Sequence, residues 1–282
     1  MRERQDCVIL TTHHAHRAFE YGMNIALIGY GEMGHALAAA ARARGHATPV
    51  IIDRSAPEAT AAEVSARALT GADIAIDFSN PSALNTTVHA CMEAGIPLVV
   101  GTTGWYDRTD EVRKLIEAES AEKRIGFLWS SNFSIGVQMY LRVVAEAARL
   151  VNAAEEYDVW GQEIHHTGKA DSPSGTAKTL EKILLAAIVR KRSVVEDKLD
   201  RKREDSEIHF SSVRGGSVNF GHTIGFDSAA DRIIITHEAR NRDGYALGAT
   251  KAAEWLLPKK GFYGMDDYMS DMLSASESKK NV

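Results

Sequence analysis

From Asn24 onward, apolar positions come in short unbroken runs set between longer segments of mixed polarity. Ile25–Ile28, Pro49–Asp53, Ile74–Phe78, Pro97–Val100 and Ile125–Trp129 each read as a buried strand. Between them, Met33–Arg44 is rich in Ala and Leu and stops at Gly45. Glu58–Leu69 is Ala-rich, Ser82–Ala94 opens behind Pro81, and Glu111–Lys123 is amphipathic, so each of the four reads as a helix. Strands alternating with helices predict an α/β fold around a doubly wound parallel sheet.

After Asn132 the rhythm changes. Ile135–Val151 and Thr176–Arg190 read as helices on either side of a strand over Asp158–His165. Glu207–Val213, Val218–Phe226 and Asp231–Glu238 then follow as strands with no helix between them. Consecutive strands with short connections usually pair antiparallel, so this block predicts an α+β domain with its own open sheet. A helix over Ala246–Leu257 follows. Met1–Gly22 carries His13, His14 and His16 and has one short apolar patch, and Met23 stands directly before the first strand. The lead therefore reads as disordered or as an over-extended start. The polar tail Ser274–Val282 is expected to fray.

Composition narrows the class. At about 150 residues per domain, 282 residues suggest one large domain or two modest ones. The hydrophobic and charged shares are 44% and 25%, those of a globular chain. A formal charge of −5 leaves no chain-wide basic footprint for nucleic acid. The run Leu184–Val189 falls far short of the ~18 apolar residues that a membrane span needs. Cys7 and Cys91 are the two cysteines, too few for a disulfide framework, which suits a reducing cytoplasm. No carboxylate or thiol accompanies the three early histidines, so no metal is expected there.

The first strand runs into Gly29-Tyr30-Gly31-Glu32-Met33-Gly34, and a helix follows. In that setting G-x-G-x-x-G is a dinucleotide loop. Gly29 permits the tight turn, Gly31 removes a side chain from the path of a pyrophosphate, and Gly34 lets helix and strand pack closely. The helix start offers N–H groups and partial positive charge to the phosphates. Asp53 ends the second strand, where a carboxylate accepts from ribose hydroxyls and favours NAD. Arg54 is next, and an Arg there suits the 2′-phosphate of NADP, so use of both NADH and NADPH is predicted, with NAD at least as good. Gly101-Thr102-Thr103-Gly104 leaves the fourth strand, and Ser130-Ser131-Asn132-Phe133 leaves the fifth at the same carboxyl edge. Both segments suit the nicotinamide end of the cofactor.

The densest chemistry lies in Glu163-Ile164-His165-His166-Thr167-Gly168-Lys169-Ala170-Asp171-Ser172-Pro173-Ser174-Gly175-Thr176-Ala177. Ser174 can cap a helix whose first turn, at Gly175 and Thr176, presents N–H groups to an anion such as a carboxylate. Lys169 adds fixed positive charge, and a histidine beside it can move a proton near neutral pH. Neighbours on a strand face opposite ways, so His165 and His166 divide the roles of proton transfer and carboxylate contact. Cys91 sits within a predicted helix as an inert buried thiol.

This string, His165-x-x-x-Lys169-x-Asp171-x-Pro173-Ser174-Gly175-Thr176-Ala177, resembles the signature of the 4-hydroxy-tetrahydrodipicolinate reductase (dihydrodipicolinate reductase) family. The likeness extends to the glycine loop, Gly101–Gly104, Asn132–Val137, Thr236-His237-Glu238-Ala239-Arg240 and Gly248-Ala249. It implies a Rossmann-like domain over 23–131, completed by 247–268, with a substrate-binding and oligomerisation domain of mixed sheet inserted at 132–246. The implied reaction passes a hydride from NADH or NADPH to a cyclic imine dicarboxylate in lysine and diaminopimelate synthesis. By resemblance His165 is the proton donor and Lys169 a second donor or stabiliser. His166, Gly175 and Thr176 bind substrate. Gly29–Gly34, Asp53, Arg54, Gly101–Thr103 and Ser130–Phe133 hold the cofactor. A homotetramer in the cytoplasm is also implied.

Two departures stand out. Trp160-Gly161 replaces the usual acidic and β-branched pair, which suggests a bulge at Gly161 and leaves the aim of Glu163 open. Thr167-Gly168 replaces an often basic pair. Another two-domain dehydrogenase or a non-catalytic nicotinamide sensor are the competing readings.

Overall fold

The computed structural model describes residues 22–120 and 123–278. The early histidines, Cys7 and the lead up to residue 21 lie outside the described residues. The chain forms two compact units, one running to Ser134 and resuming at Arg242, the other spanning Ile135–Asn241. The divisions fall at 134/135 and 241/242 rather than at 131/132 and 246/247.

In the first unit, β1 (Asn24–Ile28), β2 (Ala47–Ile52), β3 (Ile74–Asp77), β4 (Leu98–Val100), β5 (Gly126–Trp129) and β11 (Gly261–Gly264) form one sheet. Its order is β11-β5-β4-β3-β1-β2 and every pairing is parallel. Strands leave in opposite directions on the two sides of β1, which opens a crevice at the carboxyl ends of β1 and β3. Helices α1 (Glu32–Ala43), α2 (Leu84–Ala94), α3 (Thr109–Ala118), α6 (Asp243–Leu256) and α7 (Met265–Ser278) complete the unit. Ile28, Ile52, Leu84, Val88, Leu98, Val100, Trp105 and Phe127 lie in its buried core. Their burial matches the near-continuous apolar runs expected of a parallel sheet.

The expected helix at Glu58–Leu69 is absent. The segment instead turns back along β2. Thr60 N donates to Ile51 O at 2.7 Å, Asp53 N donates to Ala61 O at 3.1 Å, and Ala61 bridges Ile52. Alanine propensity without a clear apolar stripe yields to these strand-edge hydrogen bonds. The short strand β11 was too brief and glycine-flanked to be read from the sequence. The tail is helical through Ser278 instead of fraying from Ser274.

In the second unit, β6 (Asp158–His165), β7 (Ser193–Val195), β8 (Glu207–Arg214), β9 (Phe220–Asp227) and β10 (Arg232–Ala239) form a mixed sheet. Its order is β10-β9-β6-β8-β7. Strands β8 and β9 are consecutive but do not pair. Strand β6 lies between them, parallel to β8 and antiparallel to β9. Helices α4 (Ile135–Asn152) and α5 (Gly175–Ala187) contribute Tyr140, Val144, Leu180 and Leu184 to a core with Phe210, Ile224 and Phe226.

Gly161 forms no bulge. The β6 pairing runs in register through it on both sides, opposite Phe210 and Ile224. A Cβ there would stand 2.2 Å from the Phe210 ring, so glycine makes room for that ring. Trp160 is matched in the same way, because its indole lies over Gly225, where a Cβ would meet it at 2.3 Å.

Candidate active site

In the first unit the three loop glycines differ in what surrounds them. Gly29 has φ +86°, and a Cβ on it would lie 2.7 Å from Phe78 O. A Cβ on Gly34 would lie 2.6 Å from Gly29 O, so α1 packs directly on the strand end. A Cβ on Gly31 would meet nothing within 4 Å. Open space is therefore kept at Gly31, at the start of α1. Tyr30, Glu32 and Met33 fill the intervening positions. Glu32 is exposed and paired with Arg242, and the Tyr30 and His35 rings stand 4.3 Å apart.

Asp53 closes β2 beside this loop. One oxygen accepts from Tyr30 N at 2.8 Å; the other accepts from Ser55 N at 2.8 Å and Ala56 N at 3.0 Å. Backbone donors, Tyr30 foremost, pull its pKa down to about 2. The carboxylate thus ties the glycine loop to the turn after β2 while ionised. Arg54 is 83% exposed and lies 3.8 Å from Glu63, so nothing in the fold commits it to a structural role.

The two carboxyl-edge segments differ. Gly101 is confined by the Phe78 ring, which a Cβ would meet at 2.1 Å. Thr102 is buried, and its hydroxyl donates to Asp77 Oδ1 at 3.2 Å, while Thr103 is exposed. Ser130 Oγ donates to Asn132 O at 2.9 Å and accepts from Asn132 N at 3.0 Å. Asn132 Oδ1 accepts from Ser134 N at 2.9 Å, and Phe133 is buried beside Phe78. Ser130, Asn132 and Phe133 therefore build the turn, and Ser131 is its exposed residue.

In the second unit, β6 buries alternate residues: Val159, Gly161, Glu163 and His165. The face that packs hydrocarbon at its start carries charge at its end. Cross-strand register sets Ser212, Glu163, His222 and His237 in one row over β8, β6, β9 and β10. The next row holds Arg214, His165, Phe220 and Ala239. Glu163 is fully buried. Its Oε1 accepts from Arg214 Nη2 at 2.8 Å, Ser212 Oγ at 2.9 Å and Ser174 N at 3.1 Å. Its Oε2 lies 3.3 Å from His222 Nε2 and 3.6 Å from His165 Nδ1. Burial pushes this carboxyl up, but hydrogen bonds from His222, Ser174, Arg214 and Ser212 outweigh it and hold the pKa well below the usual carboxylate range.

His165 is 4% exposed. Burial lowers its pKa to about 4; Glu163 opposes that shift, while His222, Lys169 and Arg214 reinforce it. The imidazole is thus neutral at pH 7 in the free protein. Strand β6 ends at His165, so His166 stands in the following turn, where its carbonyl accepts from Lys169 N at 3.1 Å. Lys169 Nζ donates to Asp171 Oδ1 at 2.7 Å, and Arg214 Nη2 also donates to Asp171 O. Ser174 caps α5, its Oγ accepting from Ala177 N at 3.2 Å. Gly175 opens the helix on the exposed side, with nothing within 4 Å of where its Cβ would stand, and Thr176 follows half-buried. Glu163, His165 and His222 each bring a donor atom within 4.8 Å of the others, a spacing that could hold a metal ion. Arg214 supplies positive charge to the same carboxylate without one. Arg214, Ser212 and His222 were not found from the sequence, because they lie on strands distant in the chain and carry no local motif.

Comparison with known proteins identifies the family. The family models described as dihydrodipicolinate reductase, N-terminus, and dihydrodipicolinate reductase, C-terminus, match residues 23–133 and 136–269. A 4-hydroxy-tetrahydrodipicolinate reductase of Christiangramia forsetii is 36% identical over 250 residues, 89% of this chain and 99% of that protein. One from Staphylococcus aureus is 34% identical over 250 residues, 87% of this chain and 100% of its own length. The solved structure of a dipicolinate-bound dihydrodipicolinate reductase from Paenisporosarcina sp. TG-14 shares the fold. It has a TM-score of 0.70 at 20% identity and covers 87% of this chain and 98% of that one. Two adjoining family models and full-length relatives above a third identity establish that this chain belongs to the dihydrodipicolinate reductase family.

Proposed function

We propose that this chain reduces 4-hydroxy-tetrahydrodipicolinate, or its dehydrated form dihydrodipicolinate, to tetrahydrodipicolinate with NADH or NADPH, in lysine and diaminopimelate synthesis. The observation that carries the reading is a buried, neutral His165 among Lys169, Arg214 and the capped start of α5. A dianionic substrate needs that cationic surround more than it needs apolar walls. When bound, the reduced nicotinamide supplies the hydride. Gly29–Gly34, Asp53, Arg54, Gly101–Thr103 and Ser130–Phe133 are the residues assigned to hold it, and the open space at Gly31 and the exposed Arg54, Thr103 and Ser131 support that assignment. His166, Gly175 and Thr176 take the substrate carboxylates.

His165 then protonates the carbanion-like carbon left by hydride addition. Its N–H bond breaks, a C–H bond forms, and the imidazole returns to neutrality. In the free protein the ring is neutral, so the acid form arises as the dianion binds and its negative charge raises the imidazole pKa. Lys169 leaves Asp171 to stabilise negative charge on the substrate. Oxidation of NADH, followed by absorbance with freshly generated substrate, tests the reading. No substrate-dependent oxidation alongside intact NADH binding would favour a sensor instead.

A homotetramer in the cytoplasm completes the proposal. Strand β10 is an edge strand with Ile233 and Ile234 exposed, a surface that a second copy can cover. A monomer by light scattering at micromolar concentration would refute the assembly. Among the described residues no helix is long and apolar enough to cross a membrane.

A further inference from the structure

Glu163 has no part in the proposed function so far, yet it is a fully buried charge with Arg214, Ser212, Ser174 and His222 gathered around it. It is 0% exposed, and its neighbours one row along the same face, Phe210 and Ile224, are hydrocarbon. An ion in such a place costs several kcal/mol unless it is fully partnered, and apolar packing would serve stability as well. Arg214 and Ser212 occupy Oε1, Ser174 N is shared between Oε1 at 3.1 Å and Oε2 at 3.2 Å, and Oε2 also faces two imidazoles. The His165 Nδ1 is buried without a hydrogen-bond partner, 3.6 Å from that oxygen. The rings of His165 and His222 stand 5.3 Å apart at 80°, edge to face, and both reach the same carboxylate.

We infer that Glu163 is the positioning residue of the proton donor: its Oε2, 3.6 Å away, attracts and orients the Nδ1–H of His165 across a charge contact, which leaves Nε2 as the atom that delivers the proton to substrate. The inference rests on the acid role of His165 proposed above. A carboxylate on one ring nitrogen fixes the tautomer and the ring orientation and stabilises the imidazolium. No proton passes to Glu163, whose four donors keep it ionised throughout. In the transfer the Nε2–H bond breaks and the substrate C–H bond forms, while Nδ1 keeps its hydrogen. Solvent later returns a proton to Nε2. His222 Nε2 on β9 lies 3.3 Å from Oε2 and 3.1 Å from Ser174 Oγ, Ser174 N donates to Oε2 as well, and Arg214 on β8 steadies Oε1. The charged and titratable groups that face His165 are Glu163, which favours the imidazolium, and His222, Lys169 and Arg214, which oppose it. Glu163 is the one group of the four that favours the acid form, so its removal is felt at the proton step.

The test compares Glu163→Gln and Glu163→Asp with the intact protein. Glu163→Gln keeps the shape but removes the charge and replaces one acceptor oxygen with an NH2 donor. It is expected to lower kcat by about 10- to 100-fold, with the NADH dissociation constant unchanged. The alkaline limb of kcat, which reports loss of the His165 proton in the complex, moves down by about one pH unit or more. The solvent deuterium isotope effect on kcat rises as the proton step becomes limiting. Glu163→Asp, which keeps the charge, recovers most of the turnover. A kcat for Glu163→Gln close to that of the intact protein, with an unmoved limb, overturns the inference. Nitrogen NMR of the unaltered protein gives an independent readout if the variants fold poorly: the neutral His165 is expected as the Nδ1–H tautomer, and the Nε2–H tautomer would refute the proposal. The underlying reading fails separately, in that His165→Gln would then keep its turnover.

Discussion

The last two glycines of the glycine loop offer a sharp contrast. Gly34→Ala places a methyl 2.6 Å from Gly29 O, and reaching ordinary contact at 3.4 Å requires α1 to retreat by about 0.8 Å. Both sides of that contact are backbone, so no side chain can rotate away. Overpacking of this kind costs about 1–3 kcal/mol, and alanine returns up to about 1 kcal/mol of helix propensity. The expected net loss of about 1–2 kcal/mol lowers Tm by about 2–8 °C. Gly31→Ala is different. Its backbone is extended, at φ −78° and ψ −155°, which alanine adopts freely, and the methyl meets nothing within 4 Å. Stability should change by less than about 0.5 kcal/mol. If the proposed cofactor site is right, the methyl instead enters the space assigned to the phosphates, and NADH affinity should fall about tenfold or more, about 1.4 kcal/mol. Thermal unfolding and a fluorescence titration with NADH, run on both variants, separate the effects. If Gly31→Ala binds NADH as tightly as the intact protein, the space at Gly31 is not the phosphate site. If Gly34→Ala melts unchanged, the close helix–strand contact is not rigid.

Three further outcomes follow from the site. His165→Gln should lose about 100- to 10,000-fold in kcat with NADH binding intact, and Lys169→Met should weaken both substrate affinity and turnover; near-full kcat in the first removes His165 from the acid role. Stability should fall between pH 6.5 and about 4, because the His165 pKa is lowered in the fold and the unfolded chain takes up its proton first. That share reaches about 3 kcal/mol near the lower bound, the depressed Glu163 adds to the loss below its ordinary range, and denaturant unfolding of His165→Gln should show a flatter decline. The ratio of kcat/KM for NADH and NADPH should stay within about a hundredfold, since Asp53 and an uncommitted Arg54 stand side by side; a stronger NADPH preference would show that Asp53 serves only the loop.

Local rules carried the reading wherever the chemistry is contiguous in the chain. The strand–glycine loop–helix at Ile28–Gly34 and the capped start at Ser174 are short-range features, set by backbone sterics and by hydrogen bonds within a few residues. The His165–Thr176 string was legible for the same reason. Glu58–Leu69 misled because alanine content reports propensity alone, and the edge of β2 offered that segment better hydrogen bonds. Trp160-Gly161 could not be understood alone, since glycine there answers a ring on β8 and the indole answers a glycine on β9.

The sequence by itself determined the alternation of strands and helices, the dinucleotide loop and the identity of the acid–base candidate. Only the tertiary structure decided the state of that candidate. Strand β6 lies between β8 and β9 and thereby brings Ser212, Arg214 and His222, some fifty residues away in the chain, around Glu163. Whether a buried carboxylate stays charged, and whether the histidine beside it is neutral, depends on how many donors converge at about 3 Å in a site closed to water, and the sheet register sets that number.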